Sequence, residues 1–356
     1  MNTLEQIKKL KIAWCPWSQD PFFAANLRRF TVFASRMNIA YESYDSTKEY
    51  DVIIVNQLCD LTRWSRFQKS DTKLVFEMVD SYLQTDFFEL KAYLRGFAKF
   101  IFKQHRSLDW NYGNLIRRMM NRANVVVCST PEQKQAYSVY NSSIFDILDF
   151  NNQQIQNSKQ DYKIGDVAHL AWEGMGGNAW AFQEIAPVLK KIHKKQPLAL
   201  HLVTDLKYKS YNGPFAWEYQ VKSQLQKILG EVPVYLYDWN PVMLSTICTR
   251  CDIALLPVPQ KPPIYWAKPE NRLLMLWRMG LPVLASANPA FARCMKAAGN
   301  HQACENLNDW EEKLSSLIES ETLRRESAER GRAYADEQVN ESVLSEKWTR
   351  VLESVL

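Results

Sequence analysis

The sequence predicts an α/β protein built as two parallel-sheet domains, and three observations carry that expectation. Short β-rich runs alternate with helical patterns along the chain, as βαβ units require. The alternation pauses once, at 151–163, where NNQQIQNSKQDYK is polar and without periodicity, and then resumes. The length of 356 residues, at roughly 150 residues per domain, suits two domains. The boundaries that follow are 1–152, 163–335 and a terminal helix over 336–356. Two similar units joined by one linker imply a central cleft, because open sheets bind ligands beyond the carboxyl ends of their strands.

In the first half the strand candidates are 11–17, 39–44, 51–57, 73–79, 124–129 and 144–150. After the fifth, Thr130-Pro-Glu-Gln133 reads as a helix start: Thr as N-cap, Pro at the first helical position, Gln three residues beyond the cap. In the second half the candidates are 167–172, 198–204, 232–237, 252–258 and 281–286. The segment PVMLSTICTRCD reads as a helix feeding a strand. In AKPENRLLMLWRMGLPVLAS (267–286), Leu273, Leu274 and Trp277 recur at helical spacing. Pro269 suits the first helical position. Gly280 suits a left-handed stop before a buried strand. The tail from Asp309 is charged and helical, and the stretch from Val343 carries an apolar stripe.

Composition narrows the function. Charged residues are 23% and the hydrophobic set 46%, with net charge +5, so a core is affordable in an ordinary globular chain and anionic partners are mildly favoured. No apolar run reaches the roughly 18–20 residues of a membrane helix, and MNTLEQIKKLKIAW has no apolar signal core. The expected location is cytoplasmic. Seven scattered cysteines suit reduced thiols. Cys248-Thr-Arg-Cys251 has CxxC spacing, but no second pair stands at a zinc-ribbon distance, and core packing is the plainer reading. The five histidines form no Ser-His-Asp arrangement.

The charged start of the helix in 267–286 is the strongest local signal. Lys268 and Arg272 would stand where the helix dipole is already positive. Cations there are unfavourable unless an anion arrives, and phosphate is the simplest anion.

From here the residues resemble a known family. The second half is similar to the donor-binding domain of GT-B glycosyltransferases, close to the family 4 type. HLAWEGMGGNAWAF resembles that domain's first strand and Gly-containing loop. VYLYDWNPVMLSTICTRCDIALLPV resembles the stretch from the base-binding loop to the following strand. KPENRLLMLWRMGLPVLAS resembles the diphosphate-binding helix and the G-x-P-V strand. The C-terminal helix resembles the one that crosses back to the first domain. The resemblance covers most of 165–356; the first half shares strand order and NVVVCSTPEQKQAY. Two features depart from the pattern. The loop after the first strand, WCPWSQDPFFAANL, has no Gly. Met275 stands where many members place a ribose-holding Glu, and the nearest carboxylate is Glu270.

The resemblance implies two Rossmann-like domains and a metal-independent hexosyltransferase that moves a sugar from a nucleotide-diphosphate sugar to an acceptor hydroxyl, as in surface polysaccharide or glycoconjugate synthesis. The nucleotide sugar is a co-substrate, with no resident cofactor and no metal. Lys268, Asn271 and Arg272 take the phosphate role, and Lys268 and Arg272 also neutralise charge on the leaving diphosphate. Gly174, Gly176 and Gly177 bring backbone N–H groups to phosphate or make a tight turn. Glu173 meets a sugar hydroxyl. Asp238, Trp239 and Asn240 flank the nucleobase, with core packing the alternative for Trp239. Glu270 completes the donor set. Asp80, at the end of KLVFEMVD, is the candidate general base, with Asp20 and Glu77 behind it. A capping or turn role for Asp80 is the alternative. Two other functions fit the same fold: a sugar-nucleotide epimerase, and a non-catalytic sugar-nucleotide or sugar-binding protein.

Residues 91–122 contain eight Lys/Arg and one acid, Asp109. Lys91, Arg95, Lys99 and Lys103 recur every four residues and would share one helix face. That face is either solvated or docks on an anionic membrane surface or lipid-linked acceptor. Nucleic acid is not expected, since no binding motif accompanies the charge.

Overall fold

The structure is a computed structural model that describes residues 3–19, 24–68, 71–80, 97, 99–102, 105–209, 217–261 and 263–356. The chain divides into two units: Met1–Phe150 with Pro262–Pro269 and Val339–Leu356, and Asn151–Lys261 with Glu270–Gln338.

The first unit is built on six strands: β1 (Ile12–Trp14), β2 (Glu42–Ser43), β3 (Val52–Asn56), β4 (Lys73–Glu77), β5 (Val125–Cys128) and β6 (Ile144–Asp146). Their order is β2-β1-β3-β4-β5-β6, and every described pairing is parallel. All five residues of β3, VIIVN, are buried, as expected for a parallel strand covered on both faces. The order reverses between β1 and β3, which makes that pair the topological switch point.

The second unit holds β7 (Ala168–Glu173), β8 (Leu198–Thr204), the short antiparallel hairpin β9 (Lys207–Lys209) and β10 (Glu218–Gln220), β11 (Val234–Asp238), β12 (Ile253–Leu256), β13 (Val283–Ser286) and β14 (Ala303–Cys304). Its parallel sheet runs β11-β8-β7-β12-β13-β14. This is the doubly wound order with its switch between β7 and β12. The hairpin and β14 are not among the strands expected from the sequence, and β2 keeps only two residues of the expected 39–44 run.

Local signals resolve as their chemistry dictates. The Thr130 hydroxyl accepts from the Gln133 N–H at 3.1 Å, and Pro131 opens the helix Pro131–Tyr137. Gly280 has φ +78°, the left-handed conformation expected of it. The helix before it differs: it spans Asn271–Arg278 with Glu270 at the N-cap, so Pro269 lies outside it. A four-residue helix, Pro263–Trp266, precedes it, and the residue before a proline is disfavoured in helical conformation. Lys268 is therefore not in the first turn of the longer helix.

The polar stretch read as a linker runs along the second unit. The N–H groups of Gln156 and Asn157 donate to Ser245 Oγ at 3.0 and 2.6 Å, and the Tyr162 hydroxyl donates to the Gly280 carbonyl at 2.9 Å. The helix Glu341–Glu353 belongs to the first unit, where Trp348 is stacked on Phe33 at 6.0 Å between ring centres.

The Gly-free loop after β1 is shaped by polar contacts. Asn26 Oδ1 accepts from the Trp17 N–H at 2.8 Å, and Asn26 Nδ2 donates to the Ser18 carbonyl at 2.9 Å. Arg29, 1% exposed, pairs with Glu77 and, at 2.7 Å, with Asp149. Trp17 Nε1 donates to the second Glu77 oxygen at 3.3 Å. Removing one member of such a buried ion network generally costs about 3–5 kcal/mol, because the remaining charge is left desolvated. Glu77 is thus a structural ion, not a base open to an acceptor. Asp20 lies outside the described residues. Among the described residues no helix is long and apolar enough to cross a membrane.

Candidate functional site

In the second unit the site forms at the carboxyl end of β7, beside the switch point. Trp172 and Glu173 end that strand, and both are buried. The helix Asn271–Arg278 brings its second residue, Arg272, to the same place. Arg272 Nη1 donates to the Glu173 carbonyl at 2.8 Å, and the guanidinium carbon lies 5.9 Å from the centre of the Trp172 ring. Gly174 allows this approach: a Cβ there would come within 2.8 Å of both Arg272 Nη1 and the Trp172 ring. Burial pushes the Arg272 pKa down from its ordinary value, and the Glu173 charge opposes that shift. Among the described residues no carboxylate forms an ion pair with Arg272. It is a half-buried cation, in the first turn of a helix, held by one carbonyl and one ring face.

Glu173 is 6% exposed. Its Oε1 accepts from Trp239 Nε1 at 3.0 Å, while Oε2 is buried with no hydrogen-bond partner among the described residues. A buried carboxylate oxygen without a donor is costly, and a ligand hydroxyl or N–H would relieve it. Trp239, half-buried after β11, is thereby tied to the end of β7. The sequence named Glu173 and Trp239 separately; nothing in their spacing signals that they meet.

The other expected donor residues take specific positions. Gly176 and Gly177 are closely approached by neighbouring groups. A Cβ on Gly176 would meet the Asp205 carbonyl at 2.6 Å, and one on Gly177 would meet the Tyr208 ring at 3.4 Å. The Gly176 N–H already donates to Asp205 Oδ2 at 3.3 Å. Asn240 Oδ1 accepts from the Met243 N–H at 2.8 Å and so caps the helix Pro241–Arg250. Asp238 is exposed at the end of β11. Glu270 is buried, and its Oε1 accepts from Arg293 Nη2 at 2.5 Å. Asn271 opens the helix, and Met275 is buried within it. Cys248 and Cys251 are both buried and free. Among the described residues no group of three or more His, Cys, Asp or Glu gathers in a way that could hold a metal ion.

The first unit holds the second constellation. Gln57, just after β3, accepts through Oε1 from the N–H groups of Val79 and Asp80 at 2.9 and 3.2 Å. This holds the chain beyond the carboxyl end of β4. Lys268 Nζ donates to Asp80 Oδ1 at 2.5 Å, and both side chains are partly solvated. The residue expected to bind phosphate and the residue expected to act as base are ion-paired. Their separation of 188 positions puts the contact beyond any local pattern.

Two doubly wound units with a C-terminal helix in the first define a GT-B fold, and comparison with solved structures shows the same. The chain is similar to a S. aureus TarM mutant in complex with fondaparinux, α-GlcNAc-glycerol and UDP (TM-score 0.59, 12% identity, covering 85% of this chain and 55% of that one). It is similar to sucrose-phosphate synthase from Thermosynechococcus elongatus (0.59, 13%, 90% and 75%). It is similar to WaaG, a glycosyltransferase involved in lipopolysaccharide biosynthesis (0.57, 14%, 96% and 99%). The chain spans just over half the length of the TarM chain. No family model and no curated protein sequence matches it.

Proposed function

We propose that the protein is a glycosyltransferase that moves a sugar from a nucleotide-diphosphate sugar to an acceptor hydroxyl, with the donor held by the second unit and the acceptor activated in the first. The observation that carries this reading is Arg272, a cation in the first turn of a helix, partly desolvated and in no ion pair among the described residues, at the switch point of a doubly wound sheet. A diphosphate supplies the missing charge, and a guanidinium can take two of its oxygens at once. Glu173 Oε2 cannot face a phosphate, so it is assigned to a hydroxyl of the donor. Trp239 offers a ring edge beside it for the base. The UDP of the TarM complex is that protein's ligand, and it supports a nucleotide-diphosphate donor here.

Asp80 is assigned as the general base that takes the acceptor proton. Lys268 is ion-paired with Asp80 in the first unit, so the phosphate role rests first on Arg272. Arg272 lowers the cost of the charge that grows on the leaving group, which needs no metal ion in this scheme.

A thermal-shift screen of nucleoside diphosphates and their sugars tests the donor reading. A ligand at a hundred times its dissociation constant adds about 2.7 kcal/mol of stability, and at least one diphosphate is expected to raise the melting temperature clearly. No shift with any of them would remove the donor site. Slow release of free nucleoside diphosphate from the stabilising sugar nucleotide would separate transfer from the epimerase and non-catalytic readings.

We further assign the chain to the inner face of a membrane, as a peripheral protein. Ile101 and Trp110 are 55% and 54% exposed, with Phe97, Phe100 and Phe102 also exposed. Lys99 lies over the Tyr112 ring at 4.9 Å. Lys91, Arg95 and Lys103 fall outside the described residues. Exposed apolar side chains in a basic segment suit an anionic bilayer surface. The protein is expected to sediment with anionic vesicles at low salt and to be released as salt rises. Equal recovery with neutral and anionic vesicles would exclude electrostatic docking.

A further inference from the structure

We propose that Cys15 and Cys59 are a redox-active thiol pair, a site of reversible disulfide formation at the switch point of the first sheet. Cys15 is the first residue beyond β1, and Cys59 lies three residues beyond β3. The two strands are hydrogen-bonded neighbours, in register at Trp14 and Ile54. Three backbone-directed bonds bring the two cysteines together. The Cys15 N–H donates to the Ile54 carbonyl at 2.9 Å, Asn56 Nδ2 donates to the Cys15 carbonyl at 2.7 Å, and the Cys59 N–H donates to the Asn56 carbonyl at 3.1 Å. Cys59 packs against the apolar cluster that contains Cys15, and the two thiols are near enough for each to bias the ionisation of the other. The pair is poised by adjacent turns on one sheet edge, and disulfide geometry asks the sulfurs to close the remaining gap.

The two thiols differ in a way that sets the order of events. Cys15 is buried, whereas Cys59 is half-buried and is the one a reagent reaches. The neighbouring Cys15 thiol, the backbone at Asn56 and the Lys99 ammonium hold the Cys59 thiol below its ordinary pKa, against the effect of burial. Such electropositive, partly exposed thiols are the reactive ones. The CxxC pair that the sequence singles out is the opposite case: burial pushes the Cys251 thiol up to about 12 and also raises the Cys248 thiol well above its ordinary value.

A low-molecular-weight disulfide such as glutathione disulfide is the oxidant. The Cys59 thiolate attacks one of its sulfurs, a protein–glutathione S–S bond forms, and the first glutathione leaves as thiolate. Capping Cys59 removes the negative charge that opposed ionisation of Cys15. Cys15 then loses its proton to water and attacks the Cys59 sulfur, and the second glutathione leaves. The protein loses two electrons and two protons, and the oxidant becomes two thiols. The new bond joins the turn after β1 to the turn that carries Gln57, the residue that holds the Asp80 backbone. The inference does not depend on the glycosyltransferase reading.

The reduced full-length protein is exposed to glutathione disulfide, quenched by alkylation and mapped by mass spectrometry. The expected product is one Cys15–Cys59 cross-link with the other five cysteines alkylated as thiols. Cys59→Ser should remain reduced, and Cys15→Ser should stop at a glutathione mixed disulfide on Cys59. Both cysteines alkylated as thiols, a wild-type protein that stops at the mixed disulfide, or a cross-link between other cysteines would each overturn the assignment. If Cys15→Ser does not fold, the wild-type map and Cys59→Ser decide the question.

Discussion

Arg272→Ala is expected to weaken binding of a nucleoside diphosphate by about ten- to a hundredfold, since charge-assisted hydrogen bonds are worth roughly 1.5–3 kcal/mol. Titration calorimetry with the diphosphate and with the bare nucleoside checks this. The nucleoside should lose far less, because its base is assigned to Trp239 and it carries no phosphate for Arg272 to hold. Folding should suffer little: the guanidinium makes one carbonyl bond and one ring contact, and its burial already disfavours the charge. Transfer should fall further than affinity, because negative charge grows on the diphosphate as the sugar leaves. A variant that binds the diphosphate as the wild type does would remove the main support for the donor site. A variant that loses nucleoside and diphosphate equally would instead point to a collapsed pocket. The two results are therefore distinguishable.

Why Arg272 was legible in the sequence, and Lys268 only partly so, has a physical explanation. A helix stop, a buried strand and an amphipathic spacing are local properties, and KPENRLLMLWRMGLPVLAS displays all three. Gly280 adopts its left-handed conformation, and Arg272 lies in the first helical turn. The helix starts at Asn271, two residues beyond the Pro269 that the sequence suggests. Pro263 opens a short helix of its own, Pro269 follows it, and Glu270 takes the N-cap. An acid at that position suits the positive end of the dipole, so the local electrostatic puzzle is partly answered by the chain itself. Glu270 in turn is neutralised by Arg293, 23 positions away.

The sheets were legible for a similar reason. Runs such as VIIVN and VVVC must be buried on both faces, and each became a central strand. What was missed is short or lacks an apolar run. β14 has two residues, and β9 and β10 are held as a hairpin by the stacked Tyr208 and Tyr219 rings, 5.4 Å apart, among otherwise polar neighbours. The functional contacts were missed for a different reason. Trp239 with Glu173, and Lys268 with Asp80, are tertiary meetings of residues 66 and 188 positions apart. One sequence can nominate such residues by type and by strand end, but not pair them.

The pairing of Lys268 with Asp80 makes the second prediction sharper. Asp80→Asn is expected to cut transfer by about 10²–10⁴-fold, the usual contribution of a positioned general base. Diphosphate affinity, measured on the same protein, should stay near the wild-type value, because Arg272 and Glu173 belong to the other unit. Stability should change little. Both partners of the ion pair are about a quarter exposed, and pairs open to water contribute roughly 0–1 kcal/mol. Lys268→Met provides the needed contrast. If Asp80 matters only as an anchor for Lys268, the two variants should lose activity equally, and the double variant no more than either. If Asp80 is the base, Lys268→Met keeps the carboxylate and should retain far more turnover than Asp80→Asn. Wild-type turnover in Asp80→Asn would assign the carboxylate to holding the Lys268 segment. With Glu77 committed to Arg29 inside the core, the first unit would then offer no described carboxylate from the original set as base, and the acceptor would have to be activated another way.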